Sequence, residues 1–166
     1  AWHCLITRAR LKPGEDVLIM AAGSGVGSAA IQVAKRFGAR VIVTASTDEK
    51  LAKARELGAD EGINYTQGEF GKRVLELTQG RGVDVILDHV GASVWEQNFA
   101  CLKRSGRLVN CGVTSGYRVE LHMGQLFTRN LSILGSGGVG TKRELLDIMK
   151  LVHRGELHGV VAKTFP

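Results

Sequence analysis

The run Ala22-Gly23-Ser24-Gly25-Val26-Gly27 follows an apolar, β-branched stretch and opens directly into a helical pattern. A glycine-rich strand-to-helix turn lets an anion approach the backbone. The free N–H groups and positive dipole end of a helix that begins at Gly25 then stabilise its charge. The chemistry such a turn offers is the grip of a phosphate or pyrophosphate. With Gly27 as the third glycine of a G-x-G-x-x-G fingerprint, the first two positions fall on Ala22 and Ser24. Both are small enough for a tight turn, so the run reads as a variant dinucleotide-binding fingerprint. No G-x-x-x-x-G-K-[ST] loop occurs, which argues against an ATPase or GTPase.

A second decision point falls about 20 residues further on, at the end of the second strand, where an acidic side chain would bond the adenosine ribose of NAD. The sequence there is Thr44-Ala45-Ser46-Thr47. Without a carboxylate nothing repels a ribose 2′-phosphate, and Lys50, one turn into the next helix, supplies the opposite charge. This favours NADP(H) over NAD. Ser46 also fits a helix cap, because Ser46-x-x-Glu49 has the form of a capping box, and Lys50 also fits a solvated helix face.

Two further strand ends carry glycine: Asp88-His89-Val90-Gly91 and Asn110-Cys111-Gly112-Val113. Both fall at the carboxyl edge of the expected sheet, where ligands of such sheets bind. Asp88 and His89 suggest a catalytic dyad, but neighbours on a strand point to opposite faces. His89 is therefore read as structural or peripheral, and no catalytic residue is assigned.

The elements that must position these residues alternate. Strand patterns are DVLIMAA (16–22), RVIVTA (40–45), GINY (62–65), VDVILD (83–88), GRLVNCG (106–112) and LSILGS (131–136). Helix patterns span 25–37, 47–57, 70–78, 93–102 and 142–153, several of them stopped by glycine, and the opening residues 1–10 have apolar side chains at helical spacing. Strands spaced a helix apart pair in parallel through right-handed crossovers. The expected fold is α/β: a doubly wound, six-stranded parallel sheet of the Rossmann dinucleotide-binding type, filling 1–166 as one domain with no internal linker.

Composition narrows the partners. The 166 residues are 44% hydrophobic, enough for one substantial core. No window offers the roughly 18 apolar residues of a membrane helix, and the first residues lack the order of a signal peptide, so a soluble, cytoplasmic protein is expected. A net charge of +6 would suit an anionic partner. Lys and Arg are dispersed, however, with no run longer than a pair such as Lys35-Arg36, which argues against nucleic acid. Cys4, Cys101 and Cys111 are too scattered for a disulfide framework, and His3, His89, His122, His153 and His158 show no metal-ligand spacing. No metal is expected in this chain.

Together, the AAGSGVGSAAIQVAK loop and helix, KLAKARELGAD at 50–60, Asn64-Tyr65, the strand ending DHVG, SGRLVNCG and the lead-in to Lys12-Pro13-Gly14-Glu15 resemble the cofactor domain of the medium-chain dehydrogenase/reductase superfamily. The likeness covers essentially the whole chain. It leans toward quinone-oxidoreductase-type and related zinc-type reductases rather than NAD-dependent alcohol dehydrogenases, whose aspartate would align with Ala45. The resemblance implies that Gly23, Ser24, Gly25, Val26 and Gly27 bind pyrophosphate. It implies that Ser46, Lys50 and Tyr65 surround the 2′-phosphate, and that Val90, Gly91, Cys111 and Gly112 flank the nicotinamide ribose. It further implies an N-terminal GroES-like catalytic domain outside this chain, which would hold the substrate pocket and any zinc, and a homodimer paired through residues 131–136. The expected activity is hydride transfer between NADP(H) and a carbonyl, quinone or activated alkene, with little turnover by this chain alone. The alternatives are part of an NAD- and zinc-dependent alcohol dehydrogenase, or a non-catalytic NADP(H)-binding module.

Overall fold

The computed structural model describes residues 1–137, 140–161 and 163–165. The apolar runs form β1 (Asp16–Ile19), β2 (Arg40–Ala45), β3 (Glu61–Asn64), β4 (Val83–Asp88), β5 (Leu102–Asn110) and β6 (Ser132–Gly135). All neighbours pair in parallel, in the order β3-β2-β1-β4-β5-β6. The chain thus moves outward from β1 to β3, then returns to the other side of β1 and builds outward again through β6. This is the doubly wound sheet expected from the alternation, and its switch point lies between β1 and β4.

The central strands are buried on both faces, which is why β1 and β4 read as continuous apolar runs rather than alternating ones. Val17, Ile19, Val41, Val43, Val85 and Leu87 point into one apolar layer, closed by α1 (Gly25–Arg36) and α2 (Asp48–Glu56). Leu18, Met20, Ile42, Ile86 and Leu108 point into the other, closed by α3 (Phe70–Leu77) and α4 (Trp95–Cys101). The opening segment packs Leu5 into the first layer as a short helix of π type, His3–Arg8. Thr141 and Glu144 form a reciprocal capping box at the start of α6 (Lys142–His153).

Three boundaries differ from the sequence expectation. β1 stops at Ile19, short of Ala22, because Ala21 adopts a left-handed backbone (φ 48°) that turns the chain toward α1. β5 begins at Leu102 rather than Gly106, and the helix expected over 93–102 shortens to α4 after a 3-10 turn, Ala92–Val94. A short helix, α5 (Met123–Thr128), was not expected. None of its residues is buried, so it has no apolar period to reveal it, and its start is set by His122, whose ring accepts a hydrogen bond from the Gln125 amide at 3.1 Å.

One contact fixes the site. A Cβ added at Gly27 would fall 2.5 Å from the Ala21 carbonyl oxygen and 2.9 Å from Ala22 Cα, both backbone atoms. Only glycine lets α1 lie this close to the end of β1. Gly27→Ala is therefore expected to force helix and strand apart, destabilising the fold by about 1–3 kcal/mol. Thermal unfolding of the variant should show a Tm lower by about 2–4 °C for each kcal/mol; an unchanged Tm would contradict the packing argument.

Candidate functional site

Ser24 organises the glycine turn. It stands in extended conformation as the N-cap of α1, and its Oγ accepts the Gly27 amide at 2.9 Å. Its own amide donates to the Ala21 carbonyl at 3.0 Å. Gly25 and Val26 open the first turn of α1, so their amides face the space beyond the sheet edge. The Ser24 hydroxyl also meets His89 Nε2 at 3.0 Å. His89 thus belongs to the turn, a placement that sequence reasoning missed. The expected fingerprint has glycine where Ser24 stands, so no side chain was foreseen that could reach across from β1 to β4.

Asp88 does not orient that imidazole. One carboxylate oxygen accepts the amides of Val90 at 2.7 Å and Gly91 at 3.2 Å, and the other accepts Asn110 Nδ2 at 3.3 Å. Burial raises its pKa, against the pull of these donors. Burial likewise pushes the His89 pKa below its ordinary value, and the neighbouring Asp88 charge only opposes this. His89 Nδ1 is buried without a hydrogen-bond partner among the described residues.

Ser46, Lys50 and Gly23 come together beside the turn. The Lys50 stem crosses Gly23, where an added Cβ would lie 3.3 Å from Lys50 Cδ, and Lys50 Nζ donates to Ser46 Oγ at 3.0 Å. The capping box expected at Ser46 does not form. α2 starts one residue later, so Thr47 is the cap and accepts the Lys50 amide at 3.3 Å, which leaves the Ser46 hydroxyl free for the ammonium group. Of the two acids of the first turn, Asp48 accepts from Asn64 Nδ2 at 3.0 Å and Glu49 from Lys53 Nζ at 2.8 Å. Tyr65 is 45% exposed and lines a cleft of about 290 Å³ with Met20, Ala21, Thr44, Phe70 and Val90.

The ends of β4 and β5 meet through glycine. A Cβ at Gly91 (φ 94°) would strike the Gly116 carbonyl at 2.5 Å, and one at Gly112 would lie 2.9 Å from the His89 carbonyl. Cys111 donates its amide to the Asp88 carbonyl at 2.9 Å and lines a second cleft, about 410 Å³, with Cys4, Val26, Ser136, Glu144 and Ile148. The two clefts flank the glycine turn, Ala21 belonging to one and Val26 to the other. Every residue expected at the site thus lies along a single edge of the sheet, from Tyr65 past the turn to Cys111.

Comparison with known proteins follows this geometry. Residues 25–154 match the family model of the zinc-binding dehydrogenases. The chain belongs to that family. It is 35% identical to the 2-haloacrylate reductase of a Burkholderia species over 95% of its own length and 50% of that protein. Among solved structures it is similar to an NAD-dependent alcohol dehydrogenase, with 46% identity and a TM-score of 0.88 over 94% of this chain and 45% of that one. It is also similar to the Escherichia coli quinone oxidoreductase complexed with NADPH, with 34% identity and a TM-score of 0.81 over 91% of this chain and 49% of that one. The chain spans half or less of the length of these relatives. The resemblance to medium-chain dehydrogenases and reductases is confirmed, and the fold is theirs.

The family's name implies zinc, yet no group of three or more His, Cys, Asp and Glu side chains among the described residues is placed to hold a metal ion. The donors here do not fit that role, and no step is derived through a metal.

The His89 environment predicts a pH dependence of stability. A depressed folded-state pKa gives stability that is present above the unfolded value, near 6.5, and is lost as pH falls through the folded value. Asp60 and Glu144 have lowered pKa values, so their own losses fall at still more acid pH; the lowered Cys4 thiol adds a loss within the same range and Asp88, raised by burial, opposes it, and comparison with a His89 variant isolates the imidazole. Thermal melts from about pH 8 to about pH 5 should show declining Tm, with a shallower decline in His89→Gln. Equal slopes in the two proteins would remove His89 as the source.

Proposed function

We propose that this chain binds NADP(H) along the edge just described and serves as the cofactor half of an oxidoreductase acting on a carbonyl, quinone or activated alkene. The observation that carries the proposal is the pairing of Lys50 with Ser46 across Gly23, at the end of a strand that offers no carboxylate. In this reading the 2′-phosphate meets Lys50, Ser46 and Tyr65, with the adenine half in the cleft lined by Met20 and Val90. Gly23, Ser24, Gly25, Val26 and Gly27 hold the pyrophosphate on the α1 amides. Val90, Gly91, Cys111 and Gly112 border the nicotinamide ribose, and the second cleft takes the ring.

Bound there, the nicotinamide would supply or accept the hydride. The residues of this chain bind and orient it, and none is assigned to proton transfer. Substrate binding and catalysis belong, on this proposal, to a GroES-like domain outside the 166 residues, and this chain alone turns over little. Such a domain would also cover Leu145, Leu146, Met149 and Val152, an exposed apolar row on α6. No helix of the described residues is long and apolar enough to cross a membrane. Free thiols suit the reducing cytoplasm, where we place the protein.

A second reading, NAD as cofactor, is favoured by the 46% identity to a structure described as an NAD-dependent alcohol dehydrogenase. Calorimetric titration with NADPH and NADH separates the two. A charged hydrogen bond is worth about 1.5–3 kcal/mol, so Lys50→Ala should weaken NADPH binding by about 10- to 100-fold and leave NADH nearly unchanged. Equal affinity for both cofactors, insensitive to the substitution, would favour the NAD reading.

We also propose a homodimer paired through β6. That strand ends the sheet, its outer edge has no neighbour among the described residues, and Ile133 on it is 39% exposed. Light scattering should give a mass about twice 17.9 kDa, and substitution of Ile133 by Lys should lower it; a concentration-independent monomer would overturn this.

A further inference from the structure

Ser24 and His89 meet across the switch point of the sheet, and the placing of the hydrogens between them decides what the turn offers a ligand. The Ser24 oxygen accepts the Gly27 amide at 2.9 Å and lies 3.0 Å from His89 Nε2. The other ring nitrogen, Nδ1, is buried and has no partner among the described residues. Burial also pushes the His89 pKa below its ordinary value, so above about pH 7 the ring is neutral and carries one hydrogen.

That hydrogen has two possible places. On Nδ1 it would be a buried N–H without an acceptor, and the Ser24 hydroxyl would give its only proton to Nε2. On Nε2 it leaves a bare lone pair at Nδ1, a lesser defect than an orphaned N–H, and the ring donates to Ser24. The serine oxygen then accepts two hydrogen bonds, one from the Gly27 amide and one from the ring. Cβ occupies a third direction about that oxygen, and its own hydrogen takes the fourth. Ser24 is half-buried between the exposed Gly23 and Gly25. An anion held on the α1 amides would therefore meet an O–H donor there, whereas a lone pair in that place would repel it.

We infer that His89 is a positioning residue for the dinucleotide: its Nε2–H donates to Ser24 and thereby turns the Ser24 hydroxyl proton toward the pyrophosphate. The ligand in this step rests on the proposed function, but the choice of NADP(H) over NAD does not enter, because both carry the pyrophosphate. Ser24 then contributes what a glycine at its position could not, a side-chain donor beside the backbone amides. His89 acts through that hydroxyl and takes no part in hydride transfer.

Two measurements test this. Long-range proton–nitrogen correlation spectra of the imidazole, taken on the ligand-free chain at about pH 8, should place the hydrogen on Nε2. Hydrogen on Nδ1, or an average of the two tautomers, would overturn the inference. Calorimetric titration with NADPH and NADH is the second. Ser24→Ala should weaken both cofactors by the same factor, at least about tenfold, as expected for a hydrogen bond to a charged group. His89→Leu, which removes the donor, should weaken both by about three- to tenfold, and His89→Gln, whose side-chain amide can donate in its place, should recover most of that loss. Unchanged or tighter binding by the leucine variant would mean that the ring takes the serine proton rather than directing it. Equal losses in the leucine and glutamine variants would leave His89 with packing alone, and either result overturns the inference. The tautomer is read on the unsubstituted chain, so it decides the matter even where a variant fails to fold. A chain that binds neither cofactor would overturn the proposed function and the pyrophosphate contact with it, while the hydrogen bond from His89 to Ser24 would still stand or fall on the spectra.

Discussion

The structure depends on the absence of a side chain at Gly27. Helix α1 approaches the end of β1 so closely that a single methyl group would overlap the Ala21 carbonyl. That approach aims the first turn of α1, with its free amides and positive dipole end, over the carboxyl edge of the sheet. Ala21 accepts an unfavourable left-handed backbone to make the turn, and Ser24 stabilises it from inside by capping the Gly27 amide.

Strand order turns this local device into a place for a two-part ligand. Because the chain builds outward from β1 in both directions, the connections after β1 and β4 leave opposite sides and open a crevice between them. Ser24 reaches across the crevice to His89, while Asp88 uses both oxygens to fix the turn that follows β4 and to tie it to Asn110 on β5. A carboxylate this deeply buried is tolerated because each oxygen has a donor. The result is one polar seam with a cleft on either side, which matches the outline of a dinucleotide: charged in the middle, with a flat ring at each end.

Much of this was legible in the sequence, for stateable reasons. β2 and β4 were read to the residue because buried parallel strands are uninterrupted apolar runs, and α6 because Gly155 stops it, a local signal. The glycines at 91 and 112 were legible as strand-end turns, but not their packing against the Gly116 and His89 carbonyls. Errors arose where a tertiary contact overrode a local rule. Ser46 has the spacing of a cap, yet Thr47 takes the cap position and Ser46 turns to Lys50. His89 was set aside because Asp88 faces away from it, a correct inference that left out Ser24 in the turn between β1 and α1. α5 was missed because six residues with only Leu126 packed against the core are too few to show a helical period.

The seam also explains why relatives of one fold can differ in cofactor. On the proposed function, the turn, the helix dipole and the glycine contacts would act on the pyrophosphate, which both nicotinamide dinucleotides share. What distinguishes them is confined to the end of β2 and the first turn of α2, where a carboxylate or an ammonium group decides whether a 2′-phosphate is repelled or held. Here Asp48 of that turn accepts from Asn64, Glu49 pairs with Lys53, and Lys50 lies over Gly23 with its ammonium group on the Ser46 hydroxyl. Such an ammonium group meets an incoming phosphate without first breaking an ion pair, so little of its attraction is spent on reorganisation. On the proposed function, specificity would be a matter of a few side chains on one short segment, changeable without disturbing the fold.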